Sequence, residues 1–307
     1  KVTERTRETV MTAARELQYV PKAAARSLAG RRTSALGLVL PHIDGPYYAD
    51  LLVGFEVAAS ELGRSVVIFQ AAPRTDVSRA LQSLAGQVDG IAFMARSSVT
   101  EEQITELSRV RPALTVARPA QPDLPAFFAE NRSEARRLTQ HLIESGRRRI
   151  AFVGRPERGS DIGQRHRGHR AALEEAGLQP FELLEVDPVE AEGAAAADRL
   201  LEHHADVDAI VCGNDQLALA VGARLHETGR RIGEDIAVTG WDDTLAARYV
   251  RPGLTSVRQP VRELGAQAAR TLISLVDGLN ADPAPVVLPS QIIHRASCCP
   301  ASDPIPP

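Results

Sequence analysis

Three cysteines in 307 residues are too few for a disulfide framework. Two of them, Cys298 and Cys299, are adjacent near the end, and Cys212 sits in an apolar run as a core thiol. That usage points to a reducing compartment, and the expected location is the cytoplasm. No apolar run approaches the length of a membrane span and no secretory leader precedes the body, so no membrane is expected among the partners. Catalytic signatures are equally scarce. No Gly-x-Gly-x-x-Gly follows the first apolar strand, and GRPERGS, Gly154–Ser160, has the glycine spacing of a phosphate loop without its lysine. His203 and His204 are adjacent rather than four apart, and the two neighbouring cysteines lack a metal-ligand spacing. These absences predict a protein that is not an enzyme and carries no cofactor and no metal.

What is present is a body large enough for two cores, with 44% hydrophobic and 24% charged residues. The net charge of −3 conceals an uneven distribution. Residues 1–33 hold eight Lys/Arg against three Glu, a net of +5, and the remainder carries −8. A basic head on an acidic body is either a solvated helical face or an electrostatic footprint for a polyanion such as DNA.

The hydrophobic periodicity predicts a helix over residues 3–18 with Thr3 as its cap and an apolar stripe of Val10, Ala13, Ala14 and Leu17. A second short helix follows over Lys22–Leu28. From Ser34 onward, short apolar strands alternate with amphipathic helices. Strands are expected at 36–40, 66–69, 90–94, 113–116, 150–153, 183–186, 209–212, 236–239 and 286–288. The helices between them include 50–62 with Leu62 inward, one from Ser133 as cap to Ser145, 164–176, 189–203, 216–227 and 261–277. Such alternation implies parallel sheets covered on both faces. The fold class is therefore α/β, with two doubly wound parallel-sheet subdomains behind a short helical head. The expected division is 1–33 for head and hinge, 34–130 with 259–288, and 131–258 with 289–297. Residues 298–307 are expected to be a disordered tail.

The motifs VTERTRETVMTAARELQYVPKAAARSL, RRTSALGLVLP, GPYYADLLVGFEVAASELG, VDGIAF, ESGRRRIAFVG, RHRGHRAALEEAG, GNDQLALAV, IAVTGWDD and LTSVRQP run in one order along nearly the whole chain. Each alone is weak, but nine in sequence resemble the lactose-repressor (LacI/GalR) family of bacterial transcriptional regulators. The first motif resembles the end of that family's DNA-binding headpiece and its hinge, so a helix-turn-helix is expected in front of Lys1. The resemblance implies a periplasmic-binding-protein-like core, a homodimer, operator DNA as partner and a small effector, with a sugar favoured over a purine. A periplasmic sugar-binding protein shares the two-lobed fold; it has no use for a basic hinge.

The resemblance also assigns residues. Arg26, Ser27, Leu28 and Arg31 fall in the hinge segment. Leu28 matches the position whose apolar side chain wedges into a minor-groove step, and the bland alternative is packing against the core. Tyr47 and Tyr48 match the aromatic pair that lines the effector cleft, where a ring stacks on the flat face of a sugar or base. Arg165 matches the effector clamp, a planar fork able to hold two hydroxyls or a carboxylate, with Arg167 as the alternative. His169 stands where an aromatic is usual. Asn214 is read as facing ligand and Asp215 as structural. Asp242 matches a carboxylate that accepts from sugar hydroxyls, with Trp241 flanking it, at the carboxyl end of a parallel strand. Glu130 and Asn131 lie at the expected crossover between lobes.

Overall fold

The computed structural model describes residues 3–17, 33–43, 45–71, 76–157, 159–280 and 282–299. Helix α1, Glu4–Glu16, is capped by Thr3, whose Oγ1 accepts from the Thr6 amide at 3.4 Å. Val10, Ala13 and Leu17 of its expected apolar stripe face solvent, Val10 being 60% exposed and Leu17 78%. The predicted hinge helix and Arg26, Ser27, Leu28 and Arg31 lie outside the described residues.

The body holds two six-stranded sheets. The first is built from β1 (Ala35–Leu40), β2 (Ser65–Gln70), β3 (Gly90–Met94), β4 (Ala113–Val116), β5 (Ala126–Ala129) and β11 (Val286–Leu288), in spatial order β11-β5-β4-β3-β1-β2. All of its pairings are parallel. Strand β1 is buried along its whole length because its two faces serve two cores. Leu36, Leu38 and Leu40 meet helices α2 (Pro46–Glu61) and α10 (Val261–Val276). Ala35 and Val39 meet the other face, under α3 (Val77–Gln87) and α4 (Glu101–Ser108). Each fully buried Leu of this kind stabilises by roughly 1.5–3 kcal/mol relative to exposure.

The second sheet contains β6 (Ile150–Val153), β7 (Leu183–Leu184), β8 (Ala209–Cys212), β9 (Ala237–Trp241), β10 (Thr255–Arg258) and β12 (Gln291–Ile293), in order β12-β10-β9-β8-β6-β7. Only β12 runs antiparallel to its neighbour. Helices α7 (Glu190–His203) and α8 (Asp215–Glu227) cover one face. Leu142 of α5 (Arg132–Glu144) and Ile162 and Leu173 of α6 (Asp161–Glu175) cover the other. A short α9, Leu245–Tyr249, follows β9. The chain passes between the sheets at residues 129–132, 258–261 and 288–291. No helix among the described residues is long and apolar enough to cross a membrane.

Several elements depart from the sequence expectation. Helix α2 begins at Pro46 rather than residue 50, because Gly45 at φ 91° turns the chain and proline is favoured in a first helical turn. Leu62 falls outside it and is 53% exposed, its place inside taken by Ala59. Ser133 does not cap α5; the Glu130 carboxylate accepts from the Ser133 amide at 2.7 Å instead. Strands β5, β10 and β12 and helix α9 are additional. Cys298 is buried rather than part of a loose tail, and Ser297 beside it is buried with its hydroxyl donating to the Val238 carbonyl.

Candidate functional site

In both sheets the strand order within the first five strands is 2-1-3-4-5. The topological switch point therefore lies between β1 and β3 in one lobe and between β6 and β8 in the other. Open α/β sheets bind ligands in the crevice outside the carboxyl ends of strands at such points. The two crevices face one another across a cleft lined by His42, Gly45–Tyr48 and Arg96 from the first lobe, and by Ser160–Ile162, Arg165, Asn214, Gln216 and Asp242 from the second.

On the first lobe, Pro46 starts α2 and thereby sets Tyr47 and Tyr48 on its first turn. Their rings meet edge to face with centroids 5.3 Å apart, and His42 meets Tyr48 the same way at 4.6 Å. The Tyr47 hydroxyl is buried with no hydrogen-bond partner. Burial pushes its pKa well above 10, and the Asp161 carboxyl pushes it the same way. Burial also raises Tyr48 to about 12. Both phenols are thus neutral donors at any physiological pH.

On the second lobe, Ser160 caps α6 by accepting from the Gly163 amide, which places Asp161 and Arg165 one turn apart on the face toward the cleft. Arg165 is only 5% exposed. Its Nε donates to Asn131 Oδ1 at 2.7 Å and its Nη1 to the Gly213 carbonyl at 2.6 Å. The guanidinium lies 4.5 Å over the Trp241 ring, a cation–π contact that fixes its plane. Asn131 Nδ2 donates in turn to Asp161 Oδ1 at 3.0 Å.

Asp242 directly follows β9 at φ 113° and accepts from Gln259 Nε2 at 2.6 Å. Arg96 (φ 60°) and Ala117 (φ 55°) also line the cleft with left-handed backbone, so strained positions from three strand ends converge there. Burial raises the Asp242 carboxyl to about 7; Arg165 opposes that and buried Asp215 adds to it. Asp161 is likewise raised, by burial, against the pull of Arg165 and of the Asn131 hydrogen bond. The lobe thus presents one fixed guanidinium and two carboxyls beside two phenols. That set donates to and accepts from a polyhydroxylated ligand on several sides while an aromatic face covers it.

Most of the predicted effector residues come together here. Tyr47, Tyr48, Arg165, Asn214 and Asp242 line the cleft. Asn214 does so while also capping α8, accepting from the Leu217 amide and donating to the Pro188 carbonyl. Asp215 is structural: fully buried, it accepts from the Thr244 amide and the Ser256 hydroxyl. Trp241 does not line the cleft. It is 1% exposed, packed against Ala135, Leu138 and Val257, and supports Arg165 from beneath. Arg167 is exposed, about 200° round the helix from Arg165, and is no alternative clamp. His169 is buried against Phe152 and bonded through Nδ1 to Thr139; burial lowers its pKa to about 3. Asp161, Asn131 and Gln259 were not among the predicted ligand residues. Asn131 was placed only at the crossover between lobes, and Asp161, four residues before Arg165, offered a helical spacing that went unread.

A cleft between two parallel-sheet lobes, polar on one wall and aromatic on the other, defines a ligand-binding core of the periplasmic-binding-protein type. The sequence profile of the periplasmic binding protein-like domain matches residues 139–298. The chain is 34% identical over 310 residues to the HTH-type transcriptional regulator CelR of Thermobifida fusca, covering 97% of this chain and 91% of that protein. It superposes on a CelR–cellobiose complex with a TM-score of 0.80 at 32% identity, covering 97% and 92% of the two chains. On the lac repressor dimer bound to operator and the anti-inducer ONPF, the TM-score is 0.86 at 25% identity, with the same coverage. The chain belongs to the lactose-repressor (LacI/GalR) family of transcriptional regulators.

Proposed function

We propose that this chain is the core of a transcriptional repressor. It binds a sugar or sugar derivative between its lobes and, as a homodimer, couples that binding to affinity for operator DNA. The observation that carries the effector reading is the buried, unpartnered Tyr47 hydroxyl in a cleft shared with Asp161, Arg165 and Asp242. A buried hydroxyl without a partner costs about 1–3 kcal/mol, and a ligand oxygen or hydroxyl recovers it. The cellobiose bound to CelR supports the ligand class. The operator-bound lac repressor dimer supports the DNA half and the oligomer.

A thermal-shift screen against monosaccharides, disaccharides, sugar phosphates and purines tests the reading. A ligand at about 100 times its dissociation constant stabilises by roughly 2.7 kcal/mol. The expected result is a sugar whose shift disappears in Asp242→Asn. A purine shift would overturn the ligand class, and silence across all four classes would overturn the effector reading.

A further inference from the structure

A second group of ligand-type side chains lies at the far end of α5, roughly 15 Å along the helix axis from Asn131 and the cleft. His141 Nε2 is 3.3 Å from Cys298 Sγ and 3.4 Å from Cys299 Sγ, and the two sulfurs are 3.5 Å apart. The His294 ring, just beyond β12, stands against the His141 ring with centroids 4.3 Å apart. One donor atom each from His141, His294 and Cys298 lies within 4.8 Å of the other two.

Ordinary hydrogen bonding accounts for only part of this group: Cys298 Sγ can donate to the Arg295 carbonyl at 3.5 Å. His294 Nδ1 is buried without a partner, and a single imidazole nitrogen is approached by two thiols, which are weak donors. A tetrahedral ion would use the same groups as ligands. Zinc–sulfur bonds of about 2.3 Å and zinc–nitrogen bonds of about 2.0–2.1 Å set ligand atoms roughly 3.3–3.8 Å apart. The spacings between His141 Nε2 and the two sulfurs, and between the sulfurs, fall in that interval, while the His294 donor lies within 4.8 Å of those of His141 and Cys298. Imidazole with thiolate selects a borderline or soft ion and rejects calcium and magnesium, which need oxygen. Supporting groups are in place: the Thr255 hydroxyl is 3.1 Å from Cys298 Sγ and the Ser145 hydroxyl 3.5 Å from Cys299 Sγ. Cys298 is buried while both histidines are partly open, which leaves a route for the ion.

We propose that His141, His294 and Cys298 form a zinc-class metal site, with the Cys299 thiol at hand for the fourth position. The ion ties the segment after β12 to α5. It acts within one lobe, as a structural clip apart from the effector cleft.

The test is a cobalt(II) titration of the full chain, its thiols first reduced with a phosphine and counted. One cobalt per chain is expected, with thiolate-to-metal charge transfer in the near ultraviolet and the intense visible bands of a tetrahedral site, both bleached by zinc. Cys298→Ser should cut the charge-transfer intensity per cobalt by half or more, and the double variant Cys298→Ser/Cys299→Ser should abolish it. His294→Gln should weaken affinity by more than about 100-fold, beyond what loss of an outer-shell partner costs. Far-ultraviolet circular dichroism identifies a variant that fails to fold, and the other variant then decides. No cobalt bands in the fully reduced protein, unchanged charge-transfer intensity in a folded Cys298→Ser variant, or unchanged cobalt affinity in a folded His294→Gln variant would overturn the site.

Discussion

Whether a buried carboxyl beside an arginine stays ionised depends on which outweighs the other, burial or the opposite charge. At Asp242 burial wins and the group titrates near 7, against 3.8 for an ordinary aspartate. The folded protein therefore keeps a proton there that the unfolded chain releases near pH 4. Across that window the folded state binds more protons, so this group's contribution to stability falls as pH rises from about 4 to about 7. Asp242→Asn keeps an oxygen for Gln259 without the charge. It should raise stability at pH 8 by on the order of 2 kcal/mol, with little change at pH 4, as read by urea melts at both pH values. Effector affinity in the native protein should rise with pH through 7, because the carboxylate is the stronger, charge-assisted acceptor for ligand hydroxyls. Tyr47 makes the complementary case. Its hydroxyl has no partner to lose, so Tyr47→Phe should leave the melting temperature unchanged or higher while weakening effector binding about tenfold. Isothermal titration beside a melt separates those effects, and a destabilised variant with intact affinity would contradict the assignment.

At the scale of elements, the first lobe depends on how closely α2 and α10 approach. A Cβ on Gly54 would stand 1.9 Å from the Arg262 carbonyl oxygen, and one on Gly265 would stand 2.3 Å from that of Leu51. Backbone cannot yield as a side-chain tip does. Gly54→Ala and Gly265→Ala should each cost about 3 kcal/mol, measured by chemical denaturation, whereas Gly86→Ala in α3, where a Cβ meets nothing within 4 Å, should cost nothing. The periodic elements were legible because strands buried on both faces read as apolar runs and their covering helices as stripes. β5 escaped because AFFA is four residues without alternation, sitting just before a crossover. β12 escaped because its partner strand lies far away in sequence. Arg165 and Asp242 were legible by motif; Asp161 went unread, although its four-residue spacing from Arg165 puts it on the same helix face. Trp241 was misassigned because neighbours on a strand point to opposite faces, so a residue next to Asp242 is placed away from the cleft. The His141–Cys298 pairing spans 157 residues, beyond any local spacing rule.

For the molecule as a whole, the side chains that hold the cleft's charges sit where the chain crosses between lobes. Asn131, at the first crossing, binds both Arg165 and Asp161; Gln259, at the second, binds Asp242. A ligand that engages those charges therefore acts on groups fixed to the hinge. It shifts the balance between lobe arrangements only by its difference in affinity for them. Coupling of that kind is reciprocal: the factor by which effector changes operator affinity equals the factor by which operator changes effector affinity. In the intact regulator the two factors should agree, within a typical range of about 5–150-fold, when operator binding is titrated with and without effector and the converse. Asn131→Ala removes the bridge between hinge and clamp while leaving Tyr47, Tyr48 and Asp242 in place. Both factors should then shrink together toward one, with a smaller loss in effector affinity itself. Equal factors that survive the substitution would locate the coupling elsewhere than at this crossing.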